Sequence, residues 1–446
     1  MSTLPPGRHF VRTDDGYEAA RRSTVWNQRV PDRYPEVIVQ VVDVEDVKAA
    51  LAYAKANGRQ VSIRSGGHSW AANHLRDDAV LLDMHRLDHT AIDAATKTAV
   101  VGPGKGGSVL LGELEKQGLF FPGGHCRGVC VGGYLLQGGY GWNSRVYGPA
   151  CESVLGLDVV TADGQQMYCD ADHHPDLYWA ARGAGPGFFA VVTGFHLKLY
   201  PKPAVSGAAL YAYPIEYADE VYTWARDITA EIDPRVEFQL IAGSDFKTLG
   251  IEGKAIMIGS PVFADSEEQA RAAVAIFETC PVLDKALVAV PFAAMEMTTL
   301  FDTVMENYLD DHRYSADNMW TSAPAQELLP GIRRIIDTMP PAPSHFLWLS
   351  WGPVPQRQDM AYSNEDEIYF ALYGGWPDAA DDTTIGDWPR ANMAAMAPLA
   401  TGMQLADENL GARPARFATD AAMARLDEVR AAYDPDGRFH SWMGRL

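Results

Sequence analysis

Val61-Ser62-Ile63-Arg64-Ser65-Gly66-Gly67-His68-Ser69 is a β-branched run that passes directly into a glycine turn. Val61 to Arg64 reads as a strand, so the motif from Arg64 to Ser69 sits at a strand-to-loop corner. Successive backbone N–H groups in such a turn form an anion-binding concavity, the kind of seat a pyrophosphate takes. The imidazole of His68 beside it has three open readings: a nucleophile, a base, or a hydrogen-bonded loop residue.

Upstream, the run 37–41 after Pro35 predicts a strand. Asp43 then caps a helix whose apolar face uses Val44, Val47, Leu51 and Ala54, and Gly58 ends it in the left-handed conformation. Downstream, 80–83 and 98–101 read as strands, and 108–117 reads as a helix stopped by Gly118. Next comes PGGHCRGVCVGGYLLQGGYGW, residues 122–142, whose glycines suit a backbone that approaches a flat or charged ligand closely. Cys126, between His125 and Arg127, can be held as a thiolate by nearby positive charge. Cys130, between Val129 and Val131, reads as a small buried hydrophobe, as do Cys151, Cys169 and Cys280. Residues 155–161 and 165–169 predict a hairpin across Ala162-Asp163-Gly164. Residues 176–188 form a helix that breaks into a glycine-proline loop, and 188–200 give a long strand.

Past Pro201 the texture changes. Strand-like runs at 237–242, 255–263, 345–351 and 367–373 are separated by Ala-rich helical stretches, which predicts an antiparallel sheet covered on one face. Residues 419–433 read as a helix stopped by Asp434-Pro435-Asp436-Gly437. At 446 residues the chain exceeds one ordinary domain, so two lobes are expected.

A net charge of −21 without any Lys/Arg run argues against a nucleic-acid partner. Five cysteines form an odd set that does not suit a secreted disulfide framework. There is neither a signal-peptide pattern nor an apolar run of about 18 residues, so no membrane span and a cytoplasmic location are expected. No metal site is expected.

The turn at 64–69, the glycine-rich stretch around Cys126 and the loop at 176–188, in this order and at these separations, resemble the berberine bridge enzyme-like branch of the vanillyl-alcohol oxidase superfamily. The FAD domain of that family is of the para-cresol methylhydroxylase (PCMH) type. The resemblance runs from about Pro35 to Pro203 and resumes at the C-terminal helix and Asp434-Pro435. It implies an α+β, two-lobed fold: an FAD-binding PCMH-type domain at 1–203, an antiparallel-sheet substrate domain covered by helices at 204–400, and a segment at 401–446 returning to the FAD domain. In that family a histidine in an R-G/S-G-G-H-S motif bonds to the flavin 8α-methyl group, the position of His68 here. A cysteine ahead of a V-x-x-G-G segment bonds to flavin C6, and counting back from Gly132-Gly133 puts Cys126 there rather than Cys130. The resemblance further implies that Arg64, Ser65, Gly66, Gly67, Ser69, Pro103, Gly104, Val129, Gly132, Gly133, Gly138, Tyr140, Gly141 and Val191 line the FAD site. Val129 matches a position that tends to be valine where oxygen reaches the flavin, which favours an oxidase.

The implied activity is hydride transfer from an alcohol, sugar, phenolic or amine substrate to flavin N5, with O2 as acceptor and H2O2 as product. The alternatives are a dehydrogenase using a non-oxygen acceptor and a catalytically impaired flavin-binding protein. Two departures bear on the chemistry. Gly402-Met403-Gln404-Leu405 stands where the family shows Y-x-N-Y or Y-x-N-F, and Phe439 to Gly444 stands where an N-Q motif is common. The base is therefore sought on the central sheet: Tyr369 first, then Glu367 on the same face of the same run, with His345 and Gln239 on neighbouring strands. Trp348, Trp351, Tyr373 and Trp376 would suit a pocket for a ring or sugar.

Overall fold

The Asp43 carboxylate accepts from the Asp46 amide and starts the helix Val44–Ala56, which buries Val47, Ala50, Leu51 and Ala54. Gly58, at φ +63°, then turns the chain into the strand Val61–Arg64. The computed structural model that shows this describes residues 4–445. The chain divides into two compact units: one holds the chain up to Lys202 with Arg357–Ser363 and Ala418–Arg445, the other Pro203–Gln356 and Asn364–Phe417.

In the first unit a four-stranded sheet has the order His9–Val11, Val37–Gln40, Val80–Asp83, Val61–Arg64. Its last three strands are parallel, joined by helical crossover or by loop, and their apolar runs are buried. The C-terminal segment extends the outer edge: the Val61 amide donates to Arg438 O at 2.7 Å, and the His440 amide to Val61 O at 2.9 Å. A second sheet is antiparallel throughout, in the order Thr90–Asp93, Thr98–Val101, Val191–Lys198, Val154–Val160, Gln166–Cys169. The last two strands are the hairpin anticipated across Ala162-Asp163-Gly164. Arg357–Ser363, though inside the stretch 204–400, is bound into this unit. Arg182 donates to Gln358 Oε1 (3.0 Å) and Asp359 O (2.8 Å), and Trp179 Nε1 donates to Asp359 Oδ1 (2.8 Å).

The second unit is built on a seven-stranded antiparallel sheet. Its order is Val288–Ala294, Val205–Pro214, Ala255–Ala264, Phe238–Gly243, His345–Ser350, Ile368–Trp376, Arg313–Thr321. The four expected runs are its central strands. Three more were not legible, for identifiable reasons. Val205–Pro214 is rich in Ala, and Val288–Ala294 carries Pro291, tolerated because that strand is at the edge. Arg313–Thr321 reads as polar, yet it buries Ser315, Asp317, Asn318 and Thr321. One sheet face, with Phe238, Leu240, Ile256, Ile258, Phe346, Trp348, Phe370 and Leu372, packs with residues of the helices Ala218–Ile228, Glu267–Val274, Ala325–Asp337 and Trp388–Met396 in one core. The opposite face carries Ile241, Leu347, Leu349, His345, Tyr369 and Tyr373, as the strand register requires. Among the described residues, no helix is long and apolar enough to cross a membrane.

Candidate flavin site and candidate substrate face

The glycine turn after Val61–Arg64 is held open by its neighbours. Arg64 Nη1 donates to the buried Asp83 Oδ1 at 2.7 Å and Nη2 to Gly66 O at 3.2 Å, which fixes the strand end and the first turn together. Gly67 has φ +75° and lies so close to Thr24 O that no side chain fits there. Among the described residues, the amides of Ser65, Gly66, Gly67, His68 and Ser69 find no backbone acceptor. Five successive donors in a glycine turn are the concavity that an anionic group such as a pyrophosphate satisfies.

Two loops, 103–107 and 128–132, close around this turn. A Cβ on Gly66 would lie 2.9 Å from Cys130 N and 3.0 Å from Gly128 O, and one on Gly132 would collide with Ser65 Oγ. Gly132 N donates to Pro103 O at 3.0 Å, Val131 N to Lys105 O at 2.9 Å, and Gly107 N to Val129 O at 2.8 Å. Arg64, Ser65, Gly66, Gly67, Pro103, Gly104, Val129 and Gly132 are thus brought into one cluster. Gly133, on the helix Val131–Leu136, faces open space: its Cβ would meet nothing within 4 Å. Gly138 and Tyr140 sit apart from the turn, against Tyr362. Gly141 packs on Gly123 O, and Val191 is buried in the five-stranded sheet opposite Val160.

His68 is half-buried and stacks on Trp26, centroids 5.4 Å apart and rings 8° from parallel. Burial, with Arg64 nearby, lowers its pKa to about 4, so the ring is neutral at pH 7 with a lone pair to use. Its Nε2 would lie 2.9 Å from a Cβ on Gly128, so the bend that carries Cys126 two residues earlier meets the ring of His68. Cys126 is partly exposed and lies in that bend. Cys130 instead donates its S–H to Gly104 O at 3.1 Å, and burial pushes its thiol up to about 11. None of the five cysteines is in a disulfide. An unsatisfied row of donors, glycines whose Cβ atoms the neighbouring backbone excludes, and a neutral histidine against the bend that carries a partly exposed thiol fit a tightly held FAD.

On the helix-free face of the second unit's sheet, Tyr369 and Tyr373 stand four residues apart on one strand, each 4% exposed. Both hydroxyls donate to the same oxygen, Asp407 Oδ2, Tyr373 at 2.8 Å. Burial, and then the Asp407 charge, drive both hydroxyls well above the usual tyrosine pKa. His345 stacks on Tyr373 with centroids 4.8 Å apart, and Tyr308 meets both rings edge-on. Its Nδ1 lies 2.9 Å from Pro343 O; a carbonyl only accepts, so Nδ1 carries the proton and Nε2 is an acceptor. Burial lowers His345 to about 4.

Two expectations are corrected here. Glu367 does not share the face of Tyr369: its carboxylate pairs with Arg226, on the helix Ala218–Ile228, at 2.8 Å, because it sits one residue before the strand begins. The aromatic set does not form one pocket either. Trp348 is fully buried in the helix-covered core with Nε1 on Ser350 Oγ, and Trp376 donates to Asp382, while Tyr373 lies on the other face. Gln239 lies on the same face as Leu349, 3.4 Å from Glu237 Oε2. Sequence reasoning missed Trp26 and Asp407, since a tryptophan far upstream and an acid in the polar run after Gln404 carry no local signal of their partners.

An FAD binding domain model matches residues 35–170. The FAD-linked oxidoreductase penO of Penicillium crustosum is 32% identical, over 96% of this chain and 94% of its own length. The chain belongs to the FAD-linked oxidoreductases. The (R)-6-hydroxynicotine oxidase of Paenarthrobacter nicotinovorans is 32% identical over 54% of this oxidoreductase and 52% of its own length. Among solved structures, 6-hydroxy-D-nicotine oxidase from Arthrobacter nicotinovorans shares the fold with a TM-score of 0.86 at 23% identity, covering 100% of this chain and 99% of that one. Physcomitrella patens BBE-like 1 does so with a TM-score of 0.81 at 20% identity, covering 97% and 96%. The PCMH-type fold expected from the sequence is therefore the one adopted.

Proposed function

We propose that this oxidoreductase holds FAD by two covalent links, from His68 to the 8α-methyl carbon and from Cys126 to C6, and oxidises a small alcohol, sugar, phenol or amine with O2 as electron acceptor. The observation that carries the reading is the closure of the bend at 126–128 on the neutral ring of His68, with Gly128 leaving just the room that ring needs. When bound, the cofactor supplies a hydride acceptor at N5 and gives the electrons to oxygen as hydrogen peroxide.

The chain's own residues do the rest. The amides of 65–69 take the anionic part of FAD, with Gly132, Gly133, Pro103 and Gly104 as walls, and Gly138, Tyr140, Gly141 and Val191 as further lining. Arg64 acts as a strut, because its guanidinium is engaged by Asp83 and Gly66. Cys130 is half-buried like Cys126, but its S–H is engaged by Gly104 O and kept protonated, which leaves Cys126 as the thiol for the second link. Val129 keeps a small side chain where oxygen approaches. Tyr369 takes the proton from the substrate heteroatom. The oxidases among the relatives support oxygen as acceptor.

The test is the mass of the denatured protein. An FAD adduct should survive in His68→Ala and in Cys126→Ala and vanish in the double variant. An adduct retained by the double variant overturns the assigned links. Peroxide yield under air, near one per substrate oxidised, tests the acceptor. Bleaching of the flavin under nitrogen by glucose, benzyl alcohol, a phenol or a cyclic amine assigns the substrate class.

A further inference from the structure

The tryptophan that lies on His68 is placed by the same turn that carries the histidine. After the helix Tyr17–Ser23, Val25 enters a core with Ile38, Leu75 and Leu81, and Trp26 beside it stands half-buried against the turn. The Trp26 amide donates to Gly67 O at 3.3 Å, and Thr24 O lies against Gly67. Trp70, two residues past His68, meets the Trp26 indole edge-on with centroids 5.1 Å apart. Both rings of the Trp26–His68 stack are therefore anchored on residues 67–70, and their spacing is set locally.

A reacting imidazole is usually oriented by a hydrogen bond to one of its nitrogens. His68 is not: among the described residues, neither ring nitrogen has a hydrogen-bond partner. What limits its rotation is the Trp26 face and, at the Nε2 edge, the bend at Gly128. Its electrostatic surroundings are equally sparse. The one charged group acting on the ring is Arg64, a cation, so no carboxylate balances a positive imidazole. The indole face, 5.4 Å from the imidazole centroid, lies inside the range of about 6 Å over which an aromatic ring attracts a cation.

Bonding to the flavin places a positive charge at that point. The lone pair of one imidazole nitrogen forms the bond to the 8α carbon, replacing one C–H bond of the methyl group. The methyl proton leaves, and the electron pair of that C–H bond stays on the flavin ring system. Until the imidazole N–H proton also leaves, the histidine ring is cationic. O2 then takes up the electron pair with the two released protons as hydrogen peroxide, which balances the step. We propose that Trp26 is the positioning residue for the histidyl link: its indole face fixes the plane in which the imidazole lone pair points and stabilises the ring while it is cationic. The inference rests on the reading that His68 bonds to the flavin.

The test follows adduct mass over time in the Cys126→Ala background, starting from cofactor-free protein mixed with FAD under air, so that only the His68 link is counted. Varying the FAD concentration separates the limiting rate from the half-saturating concentration. Trp26→Leu should lower the limiting rate by about 10–100-fold with half-saturation unchanged, and Trp26→Phe, which keeps a smaller aromatic face, should lose less. Replacing all 11 tryptophans by 5-fluorotryptophan weakens each indole face while keeping its shape. That replacement should slow the link by about 2–5-fold in the Cys126→Ala protein and leave the rate unchanged once Trp26→Phe is added. This second measurement decides the matter should Trp26→Leu fail to fold. A Trp26→Leu protein that links at the parental limiting rate, a loss confined to half-saturation, or fluorination that slows the Trp26→Phe protein equally overturns the role of Trp26 alone. A Cys126→Ala protein that forms no adduct overturns the histidine link and the role of Trp26 with it.

Discussion

Gly128→Ala isolates the contact on which the covalent reading depends. Gly128 has φ +82°, where an L-residue costs about 1–2 kcal/mol. Its new Cβ would stand 2.9 Å from His68 Nε2 and 3.5 Å from Cε1, against an ordinary separation of about 3.5–4.0 Å. The imidazole must therefore recoil by roughly half an ångström or more. Trp26, stacked on the same ring 8° from parallel, restricts that movement. Backbone strain alone should lower the melting temperature of the first unit by about 2–8 °C. A reacting nitrogen displaced by a substantial fraction of an ångström should slow its bond to the flavin by up to about 10²-fold. The assay is in-gel flavin fluorescence after denaturation, followed over time in a Cys126→Ala background so that only the His68 link is read. Gly133→Ala is the control: its Cβ meets nothing within 4 Å, so the cofactor-free protein should gain up to about 1 kcal/mol of helix stability. If Gly128→Ala in the Cys126→Ala background is flavinylated at the parent rate, the geometry assigned to His68 is wrong.

Acid should weaken the fold of the cofactor-free protein through its histidines. His68, His74, His345 and His440 are lowered, to about 4, about 3, about 4 and about 4, by burial first in each case. Unfolding lets each bind a proton near pH 6.5, so stability falls as pH drops from about 6.5 toward 4, by at most about 1.4 kcal/mol per pH unit per histidine, most surely for the buried His74 and His345. A denaturant midpoint that stays constant across that window would contradict it. Arg64→Met should destabilise the first unit by about 1–3 kcal/mol, since it leaves the buried Asp83 carboxylate with His85 as its remaining partner; urea titration of the cofactor-free protein measures this. Asn318→Ala removes three hydrogen bonds and should cost about 1–3 kcal/mol. Amide exchange at Gln404 should accelerate by about 10–100-fold, and unchanged exchange would show that the loop is held by other contacts.

The glycine turn and the bend around Cys126 were legible because their requirements are local. A positive φ at Gly67, a capped helix at Asp43 and a turn at Gly164 each follow from one residue type at one position. The second unit was half legible. Its central strands alternate or run apolar, whereas Arg313–Thr321 buries Asp317 and Asn318 only because Arg413 and the loop at 404–407 arrive from about 90 residues away to pair with them. Glu367 looked like a partner for Tyr369 under strict alternation. The strand starting at Ile368 frees the glutamate to turn toward Arg226.

What the sequence determined by itself was the first unit's framework, with the strand, turn and glycine-rich bend that carry His68 and Cys126, since each is specified within about ten neighbouring residues. What only the tertiary structure decided was which groups meet: the ring of His68 against Gly128 and Trp26, and Tyr369 and Tyr373 on one oxygen of Asp407. Long-range pairing of buried polar groups leaves little trace along the chain, because each partner alone looks like an ordinary loop or strand residue and acquires its chemistry only from the desolvated company it keeps.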